Sequence, residues 1–146
     1  MADTDYSTEE WRDIPEWEGH YQASSLGRIR SIRREHFRLN PHGWPSLFVS
    51  KGRALKERTN YSGYKSVQMS DVTGGRAPRS FRVHRLVCAA FRANPENKPE
   101  VAHNDGIRDN NLIDNLRWAT RRENLADKKI HSAQRALSAQ EVYHRR

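Results

Sequence analysis

The clearest periodicity of apolar and polar positions lies in the second half of the chain. Glu100–His103 and Leu116–Ala119 alternate as short strands do, and a polar loop joins them. Thr120 begins a capping box, with a glutamate three residues later, so a helix is expected from Arg121 to about His131. The pattern therefore predicts a strand, a loop, a second strand and a helix, in that order.

Upstream of that unit the pattern is weaker but still predicts strands. Residues 28–33 alternate apolar and basic side chains, which is typical of a half-buried strand. Residues 64–69 and 80–83 are expected to be strands joined by a loop over 71–79. Residues 35–61 contain two prolines and two glycines and are interpreted as a loop or linker.

A short helix is expected from His84 to Phe91. Its apolar residues fall on one face, and Asn94-Pro95 would end it. His84 opens this helix, and a structural role in packing or capping is expected for it.

The surplus of basic residues adds a partner to this picture. The 146 residues include 26 Lys and Arg against 18 Asp and Glu, a formal net charge of +8. Arginine presents a planar fork of donors to phosphate oxygens, so an anionic polymer, nucleic acid above all, is the expected partner. A basic surface that serves solubility alone is the alternative.

Other features of the composition exclude whole classes of protein. Cys88 is alone, which excludes an internal disulfide and argues against a cysteine-held zinc. No apolar run approaches membrane length, and the acidic, polar N-terminus is unlike a secretion signal. A soluble, cytoplasmic protein without a membrane partner is therefore expected.

Three polar residues of the strand–loop–strand–helix unit can face one small space. His103 ends the first strand, Asn115 leads into the second, and Asn124 lies in the first turn of the helix. Hydrolysis of a phosphodiester needs a base, which a neutral imidazole supplies near neutral pH, and a hard oxygen ligand for a divalent metal. His103 suits the first role and Asn124 the second, while Asn115 would hold the imidazole in its orientation.

The residues around these positions resemble those of HNH homing endonucleases from phages and introns. The resemblance is carried by Val83-His84-Arg85-Leu86-Val87, Ala90-Phe91, Asn94-Pro95, Val101-Ala102-His103-Asn104-Asp105-Gly106, Asn110-Asn111, Asn115-Leu116-Arg117-Trp118-Ala119-Thr120 and Glu123-Asn124. It implies a ββα-metal fold in which His103 is the general base, Asn115 the loop asparagine and Asn124 the metal ligand of the helix. It also implies double-stranded DNA as substrate and Mg²⁺, or else Mn²⁺, as cofactor.

The N-terminal region is similar to a DNA-binding module that is commonly fused to such nucleases. The matching residues are Trp11, Ile14-Pro15, Trp17-Glu18-Gly19, Tyr21, Ser24 and Leu26-Gly27-Arg28-Ile29-Arg30-Ser31. Arginines of this region and others beside the expected site should contact DNA phosphates. They are Arg28, Arg30, Arg33 and Arg34 in the first group and Arg117, Arg121 and Arg122 in the second. A solvated strand face is the alternative for the first group.

The expected fold class is α+β, with a ββα-metal (His-Me finger) nuclease unit and a small basic N-terminal lobe that contains β-strands. The expected divisions are residues 8–61 for the N-terminal DNA-binding module and linker, 62–132 for the nuclease domain and 133–146 for a C-terminal tail.

One position departs from the pattern of the family. Many members carry aspartate as a second metal ligand just before the catalytic histidine, where this chain has Ala102. Asp105 or Asn104 could substitute for it, and Asp105 is the expected second ligand beside Asn124.

The departure at Ala102 motivates an alternative function. A DNA-binding protein of the same fold would have weak or lost cleavage; a phage assembly-associated nuclease that needs partner proteins is a further alternative. The pattern leaves zinc or nickel open as metals, and it fits nicking or double-strand cleavage and any oligomeric state.

Overall fold

The computed structural model describes residues 8–70 and 77–144, which combine short strands with two α-helices. In chain order the elements are β1 (Trp11–Asp13), β2 (Tyr21–Ser24), β3 (Ile29–Ser31), β4 (Arg34–Leu39), β5 (Pro45–Ser50), β6 (Arg53–Ala54), β7 (Arg58–Thr59), β8 (Lys65–Met69), β9 (Arg79–Arg82), α1 (Val83–Phe91), β10 (Glu100–His103), β11 (Leu116–Ala119) and α2 (Arg121–His144). This mixture confirms the expected α+β class.

The N-terminal sheet carries the first part of the core. Its strands lie in the order β1-β2-β3-β6 and pair antiparallel. Tyr21 and Ala23 of β2 are both buried, because alternate residues of a strand point to the same face. Ile29 of β3 is buried as well, as expected for a half-buried strand over residues 28–33.

The same core continues into the second half of the chain. Among the described residues, eight further buried side chains belong to one cluster with those of the N-terminal sheet; they are Val67, Met69, Val83, Leu86, Val87, Cys88, Val101 and Leu116. One hydrophobic core therefore crosses the boundary expected between residues 61 and 62.

The interpretation of residues 35–61 as a loop or linker is wrong, because most of this segment is strand. β4 and β5 pair along their whole length as a hairpin, and β6 and β7 each join a neighbouring sheet. Asn40 builds the hairpin turn: its side-chain oxygen accepts from the backbone nitrogens of His42 and Trp44, both at 3.0 Å. Pro45 is the first residue of β5, a position where a strand tolerates proline. Pro41 and Gly43 thus lie in the hairpin turn, Pro45 begins a strand, and Gly52 lies between β5 and β6.

The elements that precede the strand–loop–strand–helix unit are those predicted from the sequence. β8, β9 and α1 lie where two strands and a helix were expected, and α1 ends before Asn94-Pro95. Residues 71–76 of the expected loop lie outside the described residues, and Arg79 already belongs to β9.

The unit that carries the expected site has the predicted order. β10 and β11 form an antiparallel hairpin in which Ala102 lies opposite Arg117. Helix α2 follows a capping box: Thr120 N donates to Glu123 Oε2 at 2.7 Å, and Glu123 N donates to Thr120 Oγ1 at 3.2 Å. The register of β10 and β11 and the capping box together determine the direction in which α2 continues from β11.

Helix α2 is longer than expected, because it continues past His131 to His144. The tail expected from residue 133 onward is therefore helical as far as residue 144. Residues 132–143 contain alanine, glutamine, arginine and leucine and neither glycine nor proline, so nothing in their propensities stops the helix. Along the described residues no helix, α2 included, combines the length and hydrophobicity of a membrane span.

Candidate active site

A cleft of about 190 Å³ opens between the β10–β11 hairpin and helix α2. The side chains that line it include Tyr64, His103, Arg108, Asn124, Asp127 and His131. Two of the residues expected to act together, His103 and Asn124, thus share one cleft. Asn115 lies in the loop beside it.

The imidazole of His103 is held by a neighbouring amide. His103 is the last residue of β10 and is only 8% exposed. Its Nε2 lies 3.0 Å from Oδ1 of Asn111, and because an amide oxygen only accepts, Nε2 donates. The other ring nitrogen, Nδ1, then keeps its lone pair and is the atom that can take a proton.

Burial keeps this ring neutral. Loss of solvent lowers the pKa of His103, and the hydrogen bond to Asn111 and the charge of Asp105 oppose the shift only in part. An imidazole whose pKa lies below its ordinary value is unprotonated near neutral pH, which is the form that a general base requires.

A second histidine packs against the first. The ring centroid of His84 lies 5.1 Å from that of His103 and 5.2 Å from that of Tyr64. Burial, and then the charge of His103, lower the pKa of His84 to about 3, so this ring is neutral as well. His84 packs as expected, but helix α1 has no side-chain cap. Its contribution to the site is to pack against His103 and limit the access of solvent to that ring.

Asn115 does not make the contact expected of it. Its Oδ1 accepts from the backbone nitrogen of Asp105 at 3.0 Å, and its Nδ2 donates to Asp105 Oδ1 at 2.9 Å and to the carbonyl of Asn110 at 2.8 Å. The short 3₁₀ turn at Ile113–Asn115 directs this side chain into the loop. Asn115 therefore braces the loop, while Asn111 holds the imidazole. The paired asparagines of the motif were the only sequence signal for Asn111.

The two candidates for the missing metal ligand are both engaged in the loop. The carboxylate of Asp105 accepts from Asn110 Nδ2 at 2.7 Å, Ile107 N at 2.8 Å and Asn115 Nδ2. These donors outweigh the effect of burial and lower the pKa of Asp105. Asn104 donates to a backbone carbonyl of the loop and accepts from Arg117. The expected role of Asp105 as a metal ligand finds no support in this placement, because its carboxylate is outside the cleft lining.

Asn124 is oriented by a carboxylate that the sequence did not reveal. Its Nδ2 donates to Glu100 Oε2 at 2.7 Å, and Glu100 also lies 3.7 Å from Arg121. Because the amide nitrogen is engaged, the amide oxygen of Asn124 is the atom free for a cation. The strand alternation offered a weak signal, since Glu100 lies two residues before Ala102 and on the same strand face.

The donors of the cleft can be compared with those that a metal ion requires. Among the described residues, no group of three or more histidine, cysteine, aspartate or glutamate side chains could hold a metal ion. The cleft instead offers the amide of Asn124 and the carboxylate of Asp127. These two oxygen donors fit a hard divalent cation whose remaining ligands are water molecules or substrate oxygens. They are too few to coordinate the ion by protein groups alone.

The arginines expected to contact DNA occupy two regions. Those of the N-terminal region are engaged locally: Arg28 pairs with Glu9, Arg30 with Gln22, Arg33 with Glu35, and Arg34 donates to the carbonyl of His20. In the second region Arg117 pairs with Asp127, and Arg121 is 80% exposed at the start of α2. Arg122 is exposed there too. Three further cations line the cleft, namely Arg108, Lys128 and Arg135, and the sequence did not point to Arg108 or Arg135.

Known families match most of the chain. Residues 9–70 match the NUMOD4 motif, and residues 81–126 match the HNH endonuclease family. The chain is 33% identical over 133 residues to DNA endonuclease I-HmuI of Bacillus phage SP01, covering 91% of this chain and 65% of that protein. It is 28% identical over 124 residues to an uncharacterized HNH endonuclease of Acanthamoeba polyphaga mimivirus, covering 84% of this chain and 32% of that protein.

The fold has a solved counterpart. A structure described as DNA binding and cleavage by the HNH homing endonuclease I-HmuI superposes with a TM-score of 0.62 at 32% identity, over 91% of this chain and 65% of that chain. This chain thus spans about two thirds of the length of that relative. The likeness extends across both the N-terminal sheet and the strand–loop–strand–helix unit, as the coverage requires.

Proposed function

We propose that the chain is a metal-dependent endonuclease of the HNH family that hydrolyses phosphodiester bonds of double-stranded DNA. The observation that carries the proposal is the contact between His103 Nε2 and Asn111 Oδ1 at 3.0 Å, in a ring that faces the same cleft as Asn124. A neutral imidazole with a fixed tautomer beside an oxygen donor is the arrangement that general-base hydrolysis needs.

His103 acts on the attacking water in this proposal. Its Nδ1 takes the proton as the water attacks phosphorus, and Asn111 stabilises the imidazolium that forms, because its amide oxygen faces Nε2–H. Asn115 and Asp105 act indirectly, because they hold the loop that carries Asn111. We therefore assign Asp105 a structural role and keep the catalytic assignment for His103 and Asn124.

Asn124 is the residue proposed to hold the metal ion, through its amide oxygen. The oxygen donors of the cleft suit Mg²⁺, with Mn²⁺ as a substitute of similar preference. Such an ion stabilises negative charge on the phosphate and on the departing oxygen when it is bound. Glu100 keeps the amide of Asn124 in the orientation that exposes that oxygen.

The basic surface is proposed to hold the duplex. Arginines 28, 30, 33 and 34 of the N-terminal region and 117, 121 and 122 beside the cleft would contact phosphates. Such contacts fix the position of the DNA backbone without specifying its sequence. Binding should weaken steeply with salt, because each phosphate that an arginine neutralises releases condensed counterions. The DNA would be met in the cytoplasm of a bacterial or phage-infected cell.

The proposal is tested by strand breakage. Purified protein is incubated with supercoiled plasmid and Mg²⁺ or Mn²⁺, and nicked and linear products are measured over time. His103→Ala should lower the rate about 10²–10⁴-fold, the usual contribution of a general base. His42→Ala, an exposed histidine at the tip of the β4–β5 hairpin, is the matched control and should cut at the wild-type rate. Equal breakage by wild type and His103→Ala would contradict the proposal.

A second candidate function follows from Ala102, which offers no ligand at a position where the family pattern has a carboxylate. The chain would then bind DNA and cut it weakly or not at all. Retarded migration of a duplex that is recovered intact in the presence of Mg²⁺ and Mn²⁺ would favour this candidate over the enzyme.

A further inference from the structure

Ala102 lies on the same strand face as Glu100, which accepts a hydrogen bond from Asn124 of helix α2. Ala102 is buried and lies directly opposite Arg117 in the β10–β11 pair, so the two side chains point to the same face of the hairpin. The guanidinium of Arg117 reaches α2 on that face, where it contacts the carboxylate of Asp127. Asp127 therefore stands on the helix at the level of the strand position that lacks a carboxylate.

Asp127 also shares the surroundings of the proposed metal ligand. It follows Asn124 by three residues on α2, and residues at this spacing are neighbours on one helix face. Asp127, Asn124 and His103 line the same cleft. The carboxylate is thus placed beside the amide and the imidazole of the site, although it comes from a different element.

We propose that Asp127 supplies, from the helix, the metal-ligating carboxylate that Ala102 cannot supply from the strand. This inference rests on the proposed function, because it concerns the ion that Asn124 would hold. Arg117 contacts one of the two carboxylate oxygens, and a carboxylate with one engaged oxygen can still offer the other to a cation. The guanidinium fixes the orientation of the ligand, as a partner behind a metal ligand does.

The other acidic side chains near the cleft are less suitable. Asp105 already accepts three hydrogen bonds inside the loop. Glu100 receives the amide proton of Asn124 and lies beside Arg121, and it is not part of the cleft lining. Asp127 is therefore the carboxylate that faces the cleft from the side of Asn124.

Metal binding measured without any cleavage tests the proposal. Mn²⁺ is titrated into the full chain, and the free ion is quantified by electron paramagnetic resonance. Asp127→Asn should weaken Mn²⁺ binding at least about tenfold, as losses at a metal site usually do. Glu141→Gln removes the same charge from an exposed position near the end of α2 and should leave binding unchanged. Adding Ala102→Asp to Asp127→Asn should restore binding, because it returns a carboxylate to the strand.

The outcomes separate this inference from the proposed function. If Asn124→Ala abolishes binding but Asp127→Asn binds Mn²⁺ as the wild type does, the metal site stands and the assignment of Asp127 is overturned. If the wild type binds no Mn²⁺, both are overturned. Circular dichroism spectra confirm that each variant is folded, and Asp127→Asn decides the question even if Ala102→Asp does not fold.

Discussion

Replacing Asn111 by aspartate would put a carboxylate at the place of an amide oxygen that lies 3.0 Å from Nε2 of His103. The side chains have nearly the same shape, so the change isolates charge. In the wild type, burial lowers the pKa of His103 and the amide only partly offsets it. A carboxylate in the same position would favour the imidazolium and raise that pKa.

The size of the shift follows from the contact. An opposite charge within hydrogen-bond reach moves a pKa by about 1–3 units, equivalent to about 1.4–4 kcal/mol between the two protonation states. Partial exposure of the cleft mouth favours the lower end. We therefore expect the acidic limb of the pH–rate profile of Asn111→Asp to move up by at least about one unit. Well above that limb, the ring is neutral again and still donates to residue 111, so the plateau rate should be retained.

The assay is the initial rate of plasmid nicking between pH 5 and 9 at saturating Mg²⁺. Asn97→Asp, which adds the same charge at an exposed residue after α1, is the control and should leave the limb in place. An unmoved limb in Asn111→Asp at an unchanged plateau would refute the assignment of His103 as the titrating base. A shifted limb in Asn97→Asp would show that net charge, and not the contact, is responsible.

Two further predictions concern the packing around this contact. A Cβ at Gly27 would lie 2.7 Å from the backbone oxygen of Asn111, at a positive φ of 86°, whereas Gly19 has a similar φ of 74° and nothing within 4 Å. The free energy of unfolding in urea should therefore fall by at least about 1 kcal/mol more in Gly27→Ala than in Gly19→Ala. Gly27→Ala should also cut DNA more slowly than Gly19→Ala. His84 stays neutral in the folded chain down to a pKa of about 3 but protonates near 6.5 when unfolded, so the free energy of unfolding should fall as pH drops below 6.5. Its share is about 1.4 kcal/mol per pH unit, and His84→Phe should remove it; equal slopes in both proteins would contradict this.

Much of the fold could be predicted because its signals are local. A capping box and two alternating runs determine the β10–β11 hairpin and the start of α2 without reference to distant residues. The β4–β5 hairpin was missed because its prolines and glycines carry the same signal as a linker. Only the pairing of the flanking strands distinguishes a hairpin from a linker. That pairing cannot be recognised from the sequence of one strand alone.

The site was predictable in its elements and not in its contacts. His103 and Asn124 end a strand and begin a helix, so their meeting follows from the order of elements. Asn111 and Asn115 are equivalent polar residues of one loop until a 3₁₀ turn directs one of them inward. Asp127 could not be inferred, because its relation to Ala102 depends on how α2 crosses the hairpin.

The N-terminal sheet bears on catalysis through the same loop. Ile113 N donates to the carbonyl of Ser25 at 2.9 Å, and Gly27 leaves no room for a side chain against Asn111. The loop that orients His103 is thus held from one side by Asp105 and Asn115 and from the other by the turn before β3. Because Arg30 of β3 and Arg28 just before it are proposed to contact phosphates, a shift of this sheet on DNA binding would be transmitted to the loop that orients the imidazole. The shared core opposes such a shift, since sliding the sheet would expose Ile29 and Tyr21. We therefore expect the two regions to unfold together in one cooperative transition, and two separate transitions in urea would contradict this.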